Sequence, residues 1–541
     1  MMMNVPMTVS SMLERAERFF PNKEVVSRTL TGVQRLSYRK IGERTRRLSS
    51  ALEKIGVQKG DRVGTFAWNH HRHLEAYFGI PGMGAVLHTI NIRLAPEHVT
   101  YIVNHAEDSV LLVDEDLLPL IERVKDQLST VKAFIIMTDK EKIPTTSLHP
   151  VFSYEDLLET ADPNYAFVKD IDENDPAGIC YTSATTGNPK GVVYSHRSLV
   201  LHSFALGLAD TAALSEYDVC MPVVPMFHAN AWGLPFAATW FGTTQVLPGP
   251  QFTPQLLAEM IEKEKVTVTA GVPTIWLGLL NELEKGSYDT SSLRAILCGG
   301  SAAPRGMIKA FETKYGIPFL HAYGMTETTP LATVSRLKSH QTELDEEKML
   351  DIRSMQGLLV PGLEMKVIGA EGEVEWNGAE MGELCLRGPW IADEYYKDER
   401  SADAFVDGWL HTGDVVTIDP EGVVKIVDRT KDLIKSGGEW ISSVDLENAI
   451  MAHEAVFEAS VVALPHEEWQ ERPVACVVLK DAYKGKVEKR EIIDFIAPQF
   501  AKWWLPDEVI FMEEIPKTSV GKFLKRALRD IVEKEMKSTV E

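Results

Sequence analysis

The sequence predicts an α/β protein: a large N-terminal domain of layered α/β sheets, a small β-rich subdomain, and a small α+β C-terminal domain. Three observations predict it. A chain of 541 residues exceeds what one hydrophobic core can serve. Its first three quarters alternate short β-type runs with helical spacing, the pattern of parallel sheets layered with helices. From about 357 to 427 the pattern changes to short strands and turns, and a basic, turn-rich stretch at 428–432 then separates off the last residues. The expected division is 1–431, with the β-rich subdomain inside it, a linker at 428–432, and 433–541.

In chain order, Arg62 to Phe66 reads as a strand and His71 towards Ile80 as a helix. Gly178 to Tyr181 reads as a strand before a polar loop, and Val192-Val193-Tyr194 follows the loop. Val266 to Thr269 alternates with period two, and Thr274 to Leu283 then takes helical spacing. Ala295 to Cys298 is a short buried strand, followed by Gly299-Gly300-Ser301 and a helix with Pro304 near its first turn. Val415 to Ile418, Asp419-Pro420-Glu421-Gly422 and Val423 to Val427 form a hairpin. Near the end, Phe523, Leu524, Ala527, Leu528 and Ile531 mark a helix with Lys522 in its first turn.

Composition excludes several classes. A net charge of −22 disfavours binding to nucleic acid or to an anionic membrane. No apolar run approaches the roughly 20 residues that span a bilayer, and Met1 to Ser11 has no secretory pattern, so the expected location is cytoplasmic. The five cysteines form no CxxC pair and sit among apolar neighbours, as buried thiols do.

The strongest local signal is Tyr181-Thr182-Ser183-Ala184-Thr185-Thr186-Gly187-Asn188-Pro189-Lys190-Gly191. Hydroxyls, backbone N–H groups and a lysine in one loop suit a polyanion. The spacing of a Walker-type loop is absent, and no GxGxxG opens a βαβ unit.

This loop resembles the signature of the adenylate-forming superfamily of acyl-CoA synthetases, firefly-type luciferases and peptide-synthetase adenylation domains. That signature is usually Thr-Ser-Gly-Thr-Thr-Gly-x-Pro-Lys-Gly, and Ala184 stands here where glycine is usual. Further motifs follow in the order the family requires. Gly299-Gly300-Ser301-Ala302-Ala303-Pro304 resembles the adenine-pocket turn, and His321-Ala322-Tyr323-Gly324-Met325-Thr326-Glu327-Thr328 the next motif. Trp409-Leu410-His411-Thr412-Gly413-Asp414 resembles the ribose-binding motif, with Arg429 as a second ribose contact and Asp432 as the hinge. Lys435-Ser436-Gly437-Gly438-Glu439-Trp440 and Pro516-Lys517-Thr518-Ser519-Val520-Gly521-Lys522 complete the set, and Pro225-Met226-Phe227-His228-Ala229-Asn230-Ala231-Trp232 matches the motif lining the acyl pocket.

The resemblance is greatest to bacterial medium- and long-chain fatty acyl-CoA synthetases. It implies a barrel-like β subdomain, a mobile C-terminal domain and a homodimer. It implies an ATP-dependent acid–thiol ligase: a carboxylate and MgATP give acyl-AMP and pyrophosphate, and coenzyme A then gives acyl-CoA and AMP. The implied catalytic residues are Lys522, Glu327 and His228. Mg²⁺ falls to Glu327 and Thr182, a sensible pairing for an ion that keeps several waters. The nucleotide falls to Thr182, Ser183, Thr185, Thr186, Gly187 and Lys190, to Gly300, Ser301 and Ala302, and to His321, Ala322, Tyr323, Gly324 and Thr326. Asp414, Arg429, Lys431, Lys435 and Trp440 join them. Phe227 and Trp232 fall to the acyl pocket, and Gly437 and Gly438 to the coenzyme A side. An aryl or short-chain acid–CoA ligase, a stand-alone ligase loading a carrier protein, and a luciferase-type oxygenase share these motifs. A non-catalytic nucleotide sensor on the same fold is the reading from a different class, and the presence of both Glu327 and Lys522 speaks against it.

Overall fold

A computed structural model describes residues 1–182, 187–437, 439–466, 468–518 and 521–540, without the side chains of 536–540. Ser183, Ala184, Thr185, Thr186 and Gly438, all singled out above, lie outside the described residues.

Two mostly parallel sheets form the large domain. In the first, the strands run in the order Val151–Ser153, Ala133–Met137, Asp108–Asp114, Arg62–Phe66, Val86–Thr89, Pro176–Tyr181, Gly191–Ser195. All neighbours are parallel except the last pair. Asp108–Asp114 is buried along its whole length, which explains its unbroken apolar run Val110 to Val113: helices cover both faces of a parallel strand. In the second sheet Phe319–Gly324, Ala295–Cys298, Val268–Gly271, Val219–Pro222, Thr244–Leu247 and Glu24–Arg28 lie side by side in parallel, with antiparallel strands added at both edges.

Arg62–Phe66 and Ala295–Cys298 fall where the sequence places them. The strand expected over Val266 to Thr269 is instead Val268–Gly271, because Val266 caps the preceding helix through a hydrogen bond from its N–H to the Ile261 carbonyl (3.1 Å). The next helix is Pro273–Lys285, with Trp276, Leu279, Leu280 and Leu283 turned inward. Pro304 is the N-cap of helix Arg305–Tyr315, next to its first turn as expected. All five cysteines are buried.

The β-rich part is an antiparallel sheet in the order Gly372–Glu373, Glu364–Gly369, Gly382–Arg387, Trp409–Ile418, Phe405–Val406, with Val424–Arg429 also paired to Trp409–Ile418. The hairpin read from the sequence is that last pair, extended at its open end. The smaller α+β domain pairs Val456–His466 with Gln470–Leu479 and packs helices Ser443–Met451, Lys489–Ile496 and Lys525–Val540 around them. Lys522 is therefore not helical. It sits three residues before helix Lys525–Val540, in a loop closed by hydrogen bonds from the Thr518 N–H to the Lys522 carbonyl (2.6 Å) and from the Gly521 N–H to the Thr518 carbonyl (2.9 Å). No described helix is long and apolar enough to cross a membrane.

One segment is wound against its chirality. Ala229, Asn230, Ala231 and Trp232 take φ values of 42°, 52°, 50° and 57°, four successive left-handed residues with side chains, before Gly233. Each such residue costs about 1–2 kcal/mol, so neighbouring structure must hold the turn. The Asn230 Oδ1 accepts from the Thr89 hydroxyl (3.3 Å) and the Cys180 thiol (3.4 Å), both on the first sheet. Asparagine also tolerates this conformation better than alanine does. Asn230→Ala should therefore lower the melting midpoint of the large domain more than Asn230→Gly does, by about 1 kcal/mol in stability. Scanning calorimetry of the two variants checks this; an Ala variant equal to or more stable than the Gly variant would contradict it.

Candidate active site

The loops that follow the carboxyl ends of the parallel strands converge, as ligand sites on open α/β sheets do. Thr182 follows strand Pro176–Tyr181, Gly299 follows Ala295–Cys298, and Thr326–Thr328 follows Phe319–Gly324. His228 lies beyond Val219–Pro222.

The phosphate-loop candidate is pinned at its base. The Thr182 N–H donates to the Lys190 carbonyl (2.9 Å), and the Lys190 N–H donates to the Thr182 hydroxyl (3.1 Å). The Lys190 ammonium donates to the Tyr395 hydroxyl (2.7 Å), which in turn donates to Glu327 Oε1 (2.7 Å). Burial pulls the Lys190 ammonium below its ordinary pKa and pushes the Tyr395 phenol up, with the Glu327 charge adding to the latter. Sequence reasoning missed Tyr395, since no motif contains it.

At a second corner, the Tyr323 hydroxyl donates to Asp414 Oδ2 (2.7 Å) and Arg429 Nε lies 3.1 Å from Asp414 Oδ1. Asp414 and Arg429 are cross-strand partners, so sheet register itself sets the ion pair. Burial and the neighbouring carboxylate hold the Tyr323 phenol protonated. Glu383, also missed, braces this corner: its Oε1 accepts from the Gly413 N–H (2.9 Å) and its Oε2 lies 2.9 Å from His411 Nδ1. Glu383, Cys385 and His411 form a compact group of metal-binding side-chain types. The carboxylate and imidazole are already bonded to each other and to the turn before Asp414, which accounts for the group structurally.

The Gly299-Gly300 turn needs both glycines. A Cβ on Gly299 would stand 2.8 Å from the Ala322 carbonyl oxygen and 3.2 Å from the Trp232 indole. Gly300 has φ +86°, and its face meets Val272 and the Cε of Lys522. His321 serves this turn. Its Nε2 accepts from the Ala303 N–H (3.3 Å) and its Nδ1 faces the Ser354 carbonyl (2.9 Å), so both ring nitrogens are engaged by backbone.

Lys522 thus reaches the large domain from the small one. Burial and the Arg429 cation lower its ammonium to about 8, while Asp414 and Glu327 pull the other way. His228 is lowered to about 3 by burial, with Lys522 and Arg93 adding to the effect, so it is a neutral imidazole at ordinary pH. Phe227 is buried in the first-sheet core with Arg93 over its ring (5.8 Å), and Trp232 lies against Gly299.

The remaining candidates lie elsewhere. Lys435 and Trp440 are cross-strand partners on an exposed hairpin, ammonium over indole at 5.5 Å. No described contact joins them to the Asp414 corner. Gly437 packs under Trp469, and Asp432 lies 3.8 Å from Arg529 of the last helix.

The family model described as AMP-binding enzyme matches residues 13–396, and the AMP-binding enzyme C-terminal domain matches 445–522. The chain belongs to the AMP-binding enzyme family. Among its relatives, a long-chain-fatty-acid–CoA ligase of Thermus thermophilus is 51% identical over 534 residues, 98% of this chain and 96% of that one. A medium-chain-fatty-acid–CoA ligase of Ectopseudomonas oleovorans is 42% identical over 98% of this chain and 96% of its own length. Among solved structures, an anthranilate CoA ligase in complex with anthranoyl-AMP superposes with a TM-score of 0.87 at 25% identity, covering 98% of both chains.

In this AMP-binding enzyme the depressed Lys522 ammonium is directly checkable. Carbon-13 NMR of the reductively methylated protein should show one lysine titrating near 8 instead of the ordinary 10.5, absent from Lys522→Arg. A Lys522 resonance titrating above 10 would contradict the geometry.

Proposed function

We propose that the protein is an ATP-dependent fatty acid–CoA ligase. One observation carries this reading: a lysine of the small domain seats against the Gly299-Gly300 turn of the large one, among Asp414, Arg429 and Glu327. The 51% identity to a long-chain-fatty-acid–CoA ligase supports fatty acid as substrate and coenzyme A as acceptor.

The first half-reaction joins a carboxylate to the α-phosphate of ATP as pyrophosphate leaves. Both reactants are anions, so the site must hold them in line and offset their charge. Asp414 accepts from the ribose hydroxyls, and Arg429 fixes that carboxylate from the adjacent strand. The purine lies on the Gly300-Ser301-Ala302 turn beside Ala322, Tyr323 and Gly324. Lys522 donates to the carboxylate and the α-phosphate oxygens; its ammonium near 8 is mostly charged at neutral pH. Thr182 and Lys190, with the loop between them, hold the β- and γ-phosphates, and Thr326 contacts phosphate. Neutral His228 orients the acyl carboxylate without competing for its charge, and Phe227 and Trp232 line the acyl pocket.

Mg²⁺ fits this reading. Glu327 is a buried carboxylate whose one bonded oxygen accepts from a phenol instead of a cation, and one carboxylate with phosphate oxygens suits the ion. Bound there with Glu327 and Thr182 beside it, Mg²⁺ would neutralise phosphate charge. After adenylation, rotation about Asp432 withdraws Lys522 and brings the Gly437-Gly438 loop, with Lys431, Lys435 and Trp440, to the adenylate for thiol attack. The exposure of Lys435 and Trp440 supports their being delivered by such a movement. The division at 428–432, a cytoplasmic location and a homodimer complete the proposal.

Pyrophosphate release over a panel of acids, with and without coenzyme A, tests it. Saturated medium- and long-chain acids should give the highest rates and a thioester product; no release with any acid, or aryl acids alone, would overturn it. Lys522→Ala should lose acyl-AMP formation by a factor of about 100 or more, yet convert supplied acyl-AMP to thioester at near wild-type rate. Equal loss in both steps would contradict its assigned place. Because the charged form of Lys522 is the active one, kcat/KM for ATP should fall as pH rises through about 8. A profile flat to pH 10 would contradict it.

A further inference from the structure

The chain from Trp390 to Tyr396 has no regular structure, yet it is bonded to both halves of the triphosphate site. At one end the Thr329 hydroxyl donates to the Trp390 carbonyl (2.6 Å), and the Trp390 indole N–H donates to the Leu331 carbonyl (2.9 Å). The Ala392 N–H then donates to the backbone carbonyl of Glu327 itself (2.8 Å). At the other end the Tyr396 N–H donates to the Gly191 carbonyl (2.8 Å), next to Lys190, and Arg400 donates to the Asn188 carbonyl (3.1 Å). The segment is a strap laid from the Glu327 turn to the phosphate loop. Tyr395 stands between the two.

Its ring is fixed. The residue is 4% exposed, packs edge-on against Phe405 at 5.1 Å, and its N–H donates to the Ser401 hydroxyl (2.9 Å). Its hydroxyl is the middle of a directed chain. Lysine has only donors, ionised carboxylate has only acceptors, and phenol has one of each. Lys190 therefore gives to the phenol oxygen, and the phenol proton goes to Glu327. Both bonds are 2.7 Å.

We propose that Tyr395 is a positioning residue for the nucleotide's triphosphate end: its hydroxyl spaces the Lys190 ammonium from the Glu327 carboxylate, keeping each available to Mg·ATP. This rests on the ligase reading. The physics is a choice between two arrangements. A half-buried ammonium and a buried carboxylate with nothing between them collapse into a direct ion pair, and such a pair is strengthened by partial removal from water. Such a pair would withdraw the cation from the β- and γ-phosphates and the anion from the divalent ion at once. A neutral phenol interposed between them satisfies both groups, and it binds each less strongly than they would bind each other. Incoming phosphate oxygens can then take Lys190 without breaking an ion pair. Tyr395 also fixes the plane of the Glu327 carboxylate through Oε1. The hydrogen bonds of this arrangement are separate from those of the ribose corner, where Asp414 answers to Tyr323 and Arg429.

The consequence separates ATP from AMP. Tyr395→Phe keeps the ring and its packing and removes only the hydroxyl. Calorimetric titration with Mg²⁺ and α,β-methylene-ATP should show affinity weakened about tenfold, the loss of one hydrogen-bonded charged contact. The Mg²⁺ concentration for half-maximal binding of the analogue should rise with it. Affinity for AMP, which lacks the phosphates involved, should stay within about twofold on the same accounting. Equal affinity of variant and wild type for the analogue overturns the proposal. So does parallel weakening of AMP and the analogue, which marks a general structural role. A wild-type chain that does not bind the analogue overturns the ligase reading and this inference with it. A fall of the Tyr395→Phe melting midpoint with no ATP-selective loss also overturns it, and Ser401→Ala, which loosens the strap without touching the phenol, gives the reference for such a structural effect.

Discussion

A lysine ammonium taken out of water beside an arginine is the constraint on which the site depends. Burial and Arg429 both disfavour the Lys522 charge, while Asp414 and Glu327 favour it. The balance leaves an ammonium near 8 that still carries its proton at neutral pH, poorly compensated and therefore well suited to a new anion. Everything around it serves that balance. The Thr518–Lys522 hydrogen bonds hold the loop short of the last helix, so the side chain projects from a turn. Gly300 lets the stem lie against backbone. The register of two strands in the β-rich sheet sets Asp414 against Arg429.

The same economy of charge holds at the Lys190 loop. Lys190 and Glu327 are opposite charges joined through one phenol, and the strap carrying that phenol is bonded to both of their loops. The left-handed turn Ala229 to Trp232 sets the tryptophan against Gly299 and follows His228, kept neutral, near Lys522. Strain of this kind persists only where surrounding structure over-determines it. Asn230, tied to Thr89 and Cys180, supplies that here.

Much of this was legible in the sequence, for identifiable reasons. Ala295–Cys298 is an apolar run between Arg294 and Gly299, so its ends are written in composition. Val268–Gly271 slipped by two residues because period-two alternation began inside the preceding helix cap. Lys522 was read into a helix because apolar spacing resumes at Phe523; the turn that excludes it is held by backbone hydrogen bonds, which leave no mark in side-chain pattern. Tyr323, Asp414 and Arg429 were legible as motif members. Their mutual bonds were not, since these depend on strand register across 91 residues between Tyr323 and Asp414. Glu383 and Tyr395 act through other residues and belong to no quoted motif. The signal for Tyr395 was a Tyr-Tyr pair in an otherwise charged loop.

In the proposed ligase this arrangement, with the Lys522 loop seated on the large domain, is the state that makes adenylate. Gly521 faces Thr274 so closely that an added Cβ would stand 3.2 Å from the Thr274 hydroxyl, within reach of a disulfide. Single-turnover kinetics of an oxidised Thr274→Cys/Gly521→Cys protein measure that claim directly. The locked enzyme should still release pyrophosphate and accumulate acyl-AMP, while failing to pass the acyl group to coenzyme A until reduced. Loss of acyl-AMP formation on oxidation, with recovery on reduction, would contradict it.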